Sequence, residues 1–258
     1  MVVSSVAENV FGTLGTVCWT IQLIPQIWKT YRSKSAEGLS PLFVFLWAVS
    51  GPFLGVYVIV QNLNIPLILQ PQLFSALSLV SWCQCLYYNR KCSRTVCIML
   101  FVAVAAIMAG FQTGMVFAVR SVYHDGTGND AALRFFGIFS AVIIALALLP
   151  QYYEIYKHRE VIGISTMFMA IDLLGGVFSD LSLVFKSNFD VIAGVTYSVV
   201  IVMDGLVIIS ALILNPRAHR RRMYESTIAS ESATNSTPAM IETASGASRY
   251  TGATPREV

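Results

Sequence analysis

The chain has 258 residues, of which 55% are hydrophobic and only 12% charged, with a net charge of +3 from 17 Lys and Arg against 14 Asp and Glu. Soluble domains carry roughly 25% charged residues, so with a mean hydropathy of +0.66 a soluble enzyme, a disordered chain and a secreted disulfide scaffold are all excluded. The small net charge, spread over short basic clusters, gives no footprint for nucleic acid.

In chain order, apolar stretches cover residues 10–30, 41–60, 66–88, 95–119, 133–156, 164–185 and 190–214. Each is about the length a membrane span needs. Because backbone groups find no water inside a bilayer, the spans must be helices, and no two-residue alternation suggests a barrel. The expected fold is an all-α polytopic membrane protein with seven transmembrane helices. The first apolar run follows no basic n-region and precedes no small-residue cleavage site, so it reads as a retained helix.

Basic residues set the orientation. Lys29, Arg32 and Lys34 follow span one, Arg90, Lys91 and Arg94 follow span three, Lys157 and Arg159 follow span five, and Arg217, Arg220, Arg221 and Arg222 follow span seven. The opposite loops hold Arg120, Arg134 and Lys186. That bias places the N-terminus, residues 1–9, in the lumen or exterior and the C-terminus in the cytosol. Residues 223–258 are rich in Ser, Thr and Ala without apolar periodicity and read as a disordered cytosolic tail, open to phosphorylation and to trafficking partners. On that side the acceptor triplet Asn235-Ser236-Thr237 is out of reach of glycosylation.

A shift of 125 residues lays Leu23-Ile24-Pro25-Gln26 and Tyr31 on Leu148-Leu149-Pro150-Gln151 and Tyr156. Without a gap, Gly38 then falls on Gly163, Ser40 on Ser165, Phe43 on Phe168, Gly51 on Gly176 and Phe53 on Phe178. Residues 10–88 and 133–214 are therefore two three-helix copies, and the helix over 95–119 is a linker. An odd linker makes the copies parallel, a 3+1+3 plan known in transporters whose sites lie between the repeats.

The paired Pro25-Gln26 and Pro150-Gln151, each followed by a basic loop and a Gly-x-Ser start to the next helix, resemble the PQ-loop family over about residues 10–215. The second copy, with Ile171-Asp172 to Ser179 and Ile201 to Asp204, looks most like the cystinosin branch, proton-coupled lysosomal exporters of cystine. The resemblance implies two three-helix bundles around a linker helix and transport of a small solute with protons, in a vacuolar or lysosomal membrane.

Proline inside a helix removes a backbone hydrogen bond and bends or weakens the helix. Pro25 and Pro150 are candidate hinges, and Gln26 and Gln151 can satisfy the freed carbonyls or reach a neighbouring helix. A third pair, Pro71-Gln72, lacks the basic loop. Gly51 and Gly55, with Gly175 and Gly176 in the other copy, are candidates for close helix packing.

Three acids lie within spans: Asp172 and Asp180 in span six, Asp204 in span seven. A charged Asp at a helix centre costs about 2.5–3.5 kcal/mol on insertion scales, so such residues usually line a polar cavity and act there. At ~1.5 Å per residue, Asp172 and Asp204 sit about 12 and 15 Å from the cytosolic surface, and Asp180 about 12 Å deeper than Asp172. The first copy has Trp47 and Gly55 where the second has Asp172 and Asp180, so the fold itself requires no acid there. Without a cation in the span cores, these carboxyls suit proton exchange or capture of a substrate amine. Asp180 is placed at the lumenal entrance.

Trp19, Trp28, Trp47, Trp82, Tyr87 and Tyr88 read as interface anchors or packing residues, and His124, His158 and His219 fall in loops. Cys18, Cys83, Cys85, Cys92 and Cys97 lack the spacing of a zinc site. No phosphate-binding loop, nucleophile elbow or metal cluster is present, so neither catalysis nor a metal or cofactor is expected. The reading is a secondary transporter exporting an amino acid or related solute with protons. A seven-helix receptor or trafficking scaffold, and a proton-independent sugar carrier of the SWEET type, are the competing readings.

Overall fold

The computed structural model describes residues 4–62, 65–123, 130–185 and 191–246, with side chains throughout except at 66, 191–193, 196 and 233–246. The described residues form eight helical segments: α1 Ser5–Ile21, α2 Leu23–Ser33, α3 Pro41–Val60, α4 Ile65–Tyr88, α5 Arg94–Val122, α6 Ala131–His158, α7 Thr166–Val184 and α8 Val191–Gly246. Lys186 and His124 of the sequence reading lie outside the described residues.

Short polar residues start the helices where the apolar runs begin. Ser40 and Ser165, related by the 125-residue shift, accept from the amides of Phe43 and Phe168 at 3.3 and 3.4 Å, and so cap α3 and α7. Ser4 and Ser93 cap α1 and α5 in the same way, each satisfying an amide that the first turn leaves open. The first span of each copy ends on a basic residue in left-handed geometry, Lys34 and Arg159, both at φ 53°.

The two family prolines act differently on their helices. Between α1 and α2 the helix is interrupted at Gln22, three residues before Pro25, where the ring meets the preceding turn. Around Pro150, α6 stays continuous. Among the described residues, six helices are long and apolar enough to cross a membrane: 5–33, 41–60, 94–122, 131–158, 166–184 and 197–232. The seventh expected span falls on α4, 24 residues long, whose Ser75, Ser78 and Ser81 are buried. The chain is an all-helical, multi-pass membrane protein.

Beyond residue 222, where the composition suggested disorder, α8 continues as helix to Gly246. Its described side chains from 219 to 232 are all exposed. Arg222 pairs with Glu160 at its base.

Helix pairing follows the duplication. α1 packs along α7 and α3 along α6; α3 packs on α4 and α7 on α8; α4 contacts α1 and α2, and α6 contacts α8. Moving each pair by 125 residues gives another pair in the set. The linker-like α5 lies against α3 and α4. Without a hydrophobic drive between helices in lipid, such pairs are held by close van der Waals fit at small residues and by hydrogen bonds. A Cβ on Gly51 would meet Ser75 Cβ at 2.4 Å, one on Gly55 Gln112 Oε1 at 2.6 Å, one on Gly175 Trp19 Cδ1 at 2.5 Å and one on Gly176 Ile201 Cγ1 at 2.8 Å. Gly15 belongs with them, at 2.5 Å from Ser179 Oγ. The main core gathers Leu23, Phe43, Trp47, Leu148, Ile164 and Phe168 between the copies, and Phe43 and Phe168, equivalent positions, face each other at 6.4 Å.

Candidate functional site

Two features stand out, one between the copies and one within the second. The first is a reciprocal clasp at the end of the bundle that carries the basic loops. The side chain of Gln26 accepts from the amide of Ser165 at 2.5 Å and donates to the carbonyl of Gly163 at 3.0 Å. Gln151 accepts from the amide of Ser40 at 2.9 Å and donates to the carbonyl of Gly38 at 2.8 Å. Each glutamine therefore holds the Gly-x-Ser loop of the other copy, and both are fully buried. The sequence reading gave these side chains to freed carbonyls or a neighbouring helix; their partners are loops more than 110 residues away.

Only glycine allows the loops to meet. A Cβ on Gly163 would lie 2.1 Å from the Leu39 amide nitrogen and 2.3 Å from the Glu37 carbonyl oxygen, and Gly38 adopts φ +76°. Lys29 adds an asymmetric tie, its Nζ donating to the carbonyls of Ile162 at 2.6 Å and Ile164 at 2.5 Å. The equivalent residue in the second copy is Glu154, which approaches His158 at 3.3 Å instead.

The second feature is a pair of acids deeper in the bundle. Asp172 is 3% exposed and Asp204 0%, and their carboxyl groups interact side chain to side chain across the α7–α8 contact. Asp172 Oδ2 and both Asp204 oxygens have no hydrogen-bond partner. The Trp19 indole nitrogen donates to the main-chain oxygen of Asp172 at 3.3 Å, and its ring lies 5.3 Å from that of Tyr197. Tyr152, whose hydroxyl donates to Met203 O at 2.5 Å, lies beside Asp204. Two neighbouring buried carboxyls in an apolar setting are satisfied by a shared proton or by a cationic guest, and the described surroundings supply no fixed cation. Leu79, 2% exposed, occupies the position in the first copy that Asp204 holds in the second.

The third acid lies apart. Asp180 is half-buried, accepts from Ser198 Oγ at 2.9 Å, and lines an open cavity of about 550 Å³ with Val195, Val199 and Val202. Those valines are exposed, so Asp180 faces an outer groove between α7 and α8 and not the pair.

The duplication also reveals a contact that sequence reasoning missed. Trp47 donates through its indole nitrogen to the carbonyl of Ile144 at 3.1 Å. Since 19 shifts to 144 and 47 to 172, the bond from Trp19 to Asp172 and the bond from Trp47 to Ile144 join the same two positions, with the tryptophan on opposite partners. The signal was available as a Trp at one member of each shifted pair. Among the described residues no group of three His, Cys, Asp or Glu could hold a metal.

A duplicated helical membrane protein with paired Pro-Gln motifs that cross-link its copies defines the class. The sequence model of the PQ loop repeat matches residues 7–67 and 132–192, two windows separated by the same 125 residues. The chain belongs to the PQ-loop repeat family. It is 39% identical to an uncharacterized protein of Schizosaccharomyces pombe, C2E12.03c, over 82% of this chain and 74% of that protein. It is 33% identical to the vacuolar histidine transporter YPQ3 of Saccharomyces cerevisiae over 33% of this chain and 30% of that one. Cystinosin of Drosophila melanogaster is 28% identical over 70% of this chain and 49% of its own length.

Proposed function

We propose that the protein is a secondary transporter that moves an amino acid or related small solute, together with protons, from an acidic organelle to the cytosol. The observation that carries this reading is the buried contact of Asp172 with Asp204, in the one copy that has acids, with no protein cation beside them. In the proposed cycle one carboxyl of the pair holds a proton from the lumen and the other meets the amine of the solute. The two together neutralise the pair, so the loaded form crosses the occluded state more readily than the empty charged one.

The two three-helix copies, joined by α5, would rock about Pro25 and Pro150 and expose the pair to each side in turn. The Gln26 and Gln151 clasp would be the gate on the basic side, formed in this conformation and released in the other. Asp180 would then serve the outer approach from the lumen. The excess of basic residues at the clasp end supports a cytosolic position for that end and for the C-terminus, and a lumenal N-terminus. Relatives named as a vacuolar histidine transporter and as cystinosin support an amino acid as cargo and a vacuolar or lysosomal membrane.

Thermal-shift measurements on the purified protein against amino acids and sugars at acidic and neutral pH test the substrate class. Stabilisation by an amino acid that vanishes in Asp172→Asn supports the reading. Stabilisation by a sugar, unaffected by pH or by that substitution, favours the proton-independent carrier.

A further inference from the structure

Beside the clasp, a groove of about 750 Å³ opens between α3, α4 and α6. Its walls are apolar, formed by Leu42, Phe45, Trp82, Leu86 and Tyr153, and its loop end is closed by Arg90. Leu42 and Tyr153 are more than half exposed, so the groove faces outward, toward hydrocarbon in a membrane-spanning bundle. Arg90 lines its mouth, and Arg90, Lys91 and Arg94, close together in the chain, all have exposed side chains. None of them enters an ion pair among the described residues. The one acid on the lining, Glu154, is engaged by His158.

The fold does not require this groove. Moving its residues by 125 places Val207, Ala211 and Asn215 at the positions of Trp82, Leu86 and Arg90. There Val207 and Ala211 are buried, and Asn215 bridges the amide and carbonyl of Val161 at 2.8 and 3.1 Å. At those three positions the second copy has packed or hydrogen-bonded side chains and no cation. In the first copy the groove is open, apolar along its length and cationic at its mouth.

We propose that this groove binds an anionic phospholipid of the surrounding leaflet. A hydrocarbon chain would lie along Phe45 and Trp82, and the phosphate would meet Arg90, with Lys91 and Arg94 alongside. A basic pocket between helices at the membrane surface selects anionic headgroups by charge, whereas a zwitterionic lipid fills the trough without that gain. The occupant touches both copies, since Pro150 and Tyr153 come from the second, and Pro150 precedes the clasp residue Gln151. The site is independent of what the protein transports.

The test uses the full chain in phosphatidylcholine nanodiscs holding a fixed fraction of acyl-brominated lipid, either phosphatidylglycerol or phosphatidylcholine. Quenching at Trp82 is the difference between the wild type and Trp82→Phe, with thermal unfolding of each protein in the same discs as the control for folding. If Trp82→Phe unfolds, ¹⁹F-tryptophan spectra of the wild type give the same comparison. The expected result is at least threefold stronger quenching by the anionic lipid, lost in Arg90→Gln/Lys91→Gln/Arg94→Gln. Equal quenching by both lipids, or a preference that survives the triple substitution, overturns the proposal. Protection of Trp82 from both lipids also overturns it, because a second copy is then covering the groove.

Discussion

Gln26 and Gln151 stand 125 residues apart and each makes the same pair of hydrogen bonds to the other copy, one to the amide of a capping serine and one to the carbonyl of a glycine two residues earlier. A glutamine suits both bonds because its amide presents an acceptor and a donor side by side. The arrangement joins the two halves through four hydrogen bonds. It also explains why the motif occurs as a pair: removing either member strands an amide and a carbonyl contributed by the other copy.

Gln26→Ala and Gln151→Ala should therefore each lower stability by about 2 kcal/mol or more, since each leaves two buried backbone groups unsatisfied at roughly 1–3 kcal/mol apiece. Thermal unfolding in detergent measures this. Gln26→Glu keeps the acceptor but loses the donor to Gly163, and should fall between the wild type and the alanine variant. A stability unchanged by either alanine substitution would mean the clasp contributes nothing to the observed conformation.

Gly163→Ala should be more damaging than its size suggests. The added methyl would sit 2.1 Å from a backbone nitrogen and 2.3 Å from a carbonyl oxygen of the facing loop, neither of which can turn aside. We expect loss of folded protein or a large drop in unfolding temperature. Gly110→Ala is the control, because its Cβ meets nothing within 4 Å. On α5 that change should be neutral or stabilising by up to ~1 kcal/mol from helix propensity.

Much of this was legible in the sequence, because the information is carried by periodicity and repetition. Ungapped self-similarity located both Pro-Gln motifs and both Gly-x-Ser starts, and hydropathy located each apolar helix though not the end of α8. What the glutamines hold was not legible, because their partners are backbone atoms of a distant loop and leave no residue signature. Asp172, Asp180 and Asp204 looked equivalent as acids in a span. Only packing distinguishes them: α7 turns Asp172 toward Asp204 and leaves Asp180 in an outer groove. The tail beyond 222 read as disordered from composition, yet its Ala, Glu and Met content permits the helix that continues from α8.

Trp19→Phe and Trp47→Phe should separate stability from function. Each removes one indole hydrogen bond between equivalent positions of the two copies, a net loss of about 0.5–1.5 kcal/mol, so their unfolding temperatures should fall by similar amounts. Transport should be affected by Trp19→Phe alone, since only that indole orients the turn bearing Asp172. Solute uptake into liposomes, with the two variants matched for folded protein, measures the difference. Equal transport by both would place Trp19 outside the site.

The sign of the pH dependence follows from the proposed coupling, in which proton and solute move in the same direction. Export from the compartment should accelerate as its interior is acidified and slow when the gradient is collapsed. Asp180→Asn, away from the pair, should leave this dependence in place and at most change the apparent affinity for solute. Flux at fixed solute over a series of internal pH values tests it, and a profile flat in internal pH would contradict proton coupling.

The most direct measurement is of proton movement itself. With the protein in liposomes that enclose a pH-sensitive dye, addition of the transported solute should drive proton flux in the wild type. The account predicts that Asp204→Asn, correctly folded and still stabilised by solute, abolishes that flux while Leu79→Asn, at the equivalent position of the first copy, does not when it folds. Undiminished solute-driven proton flux in Asp204→Asn would contradict the central role given to the Asp172 and Asp204 pair.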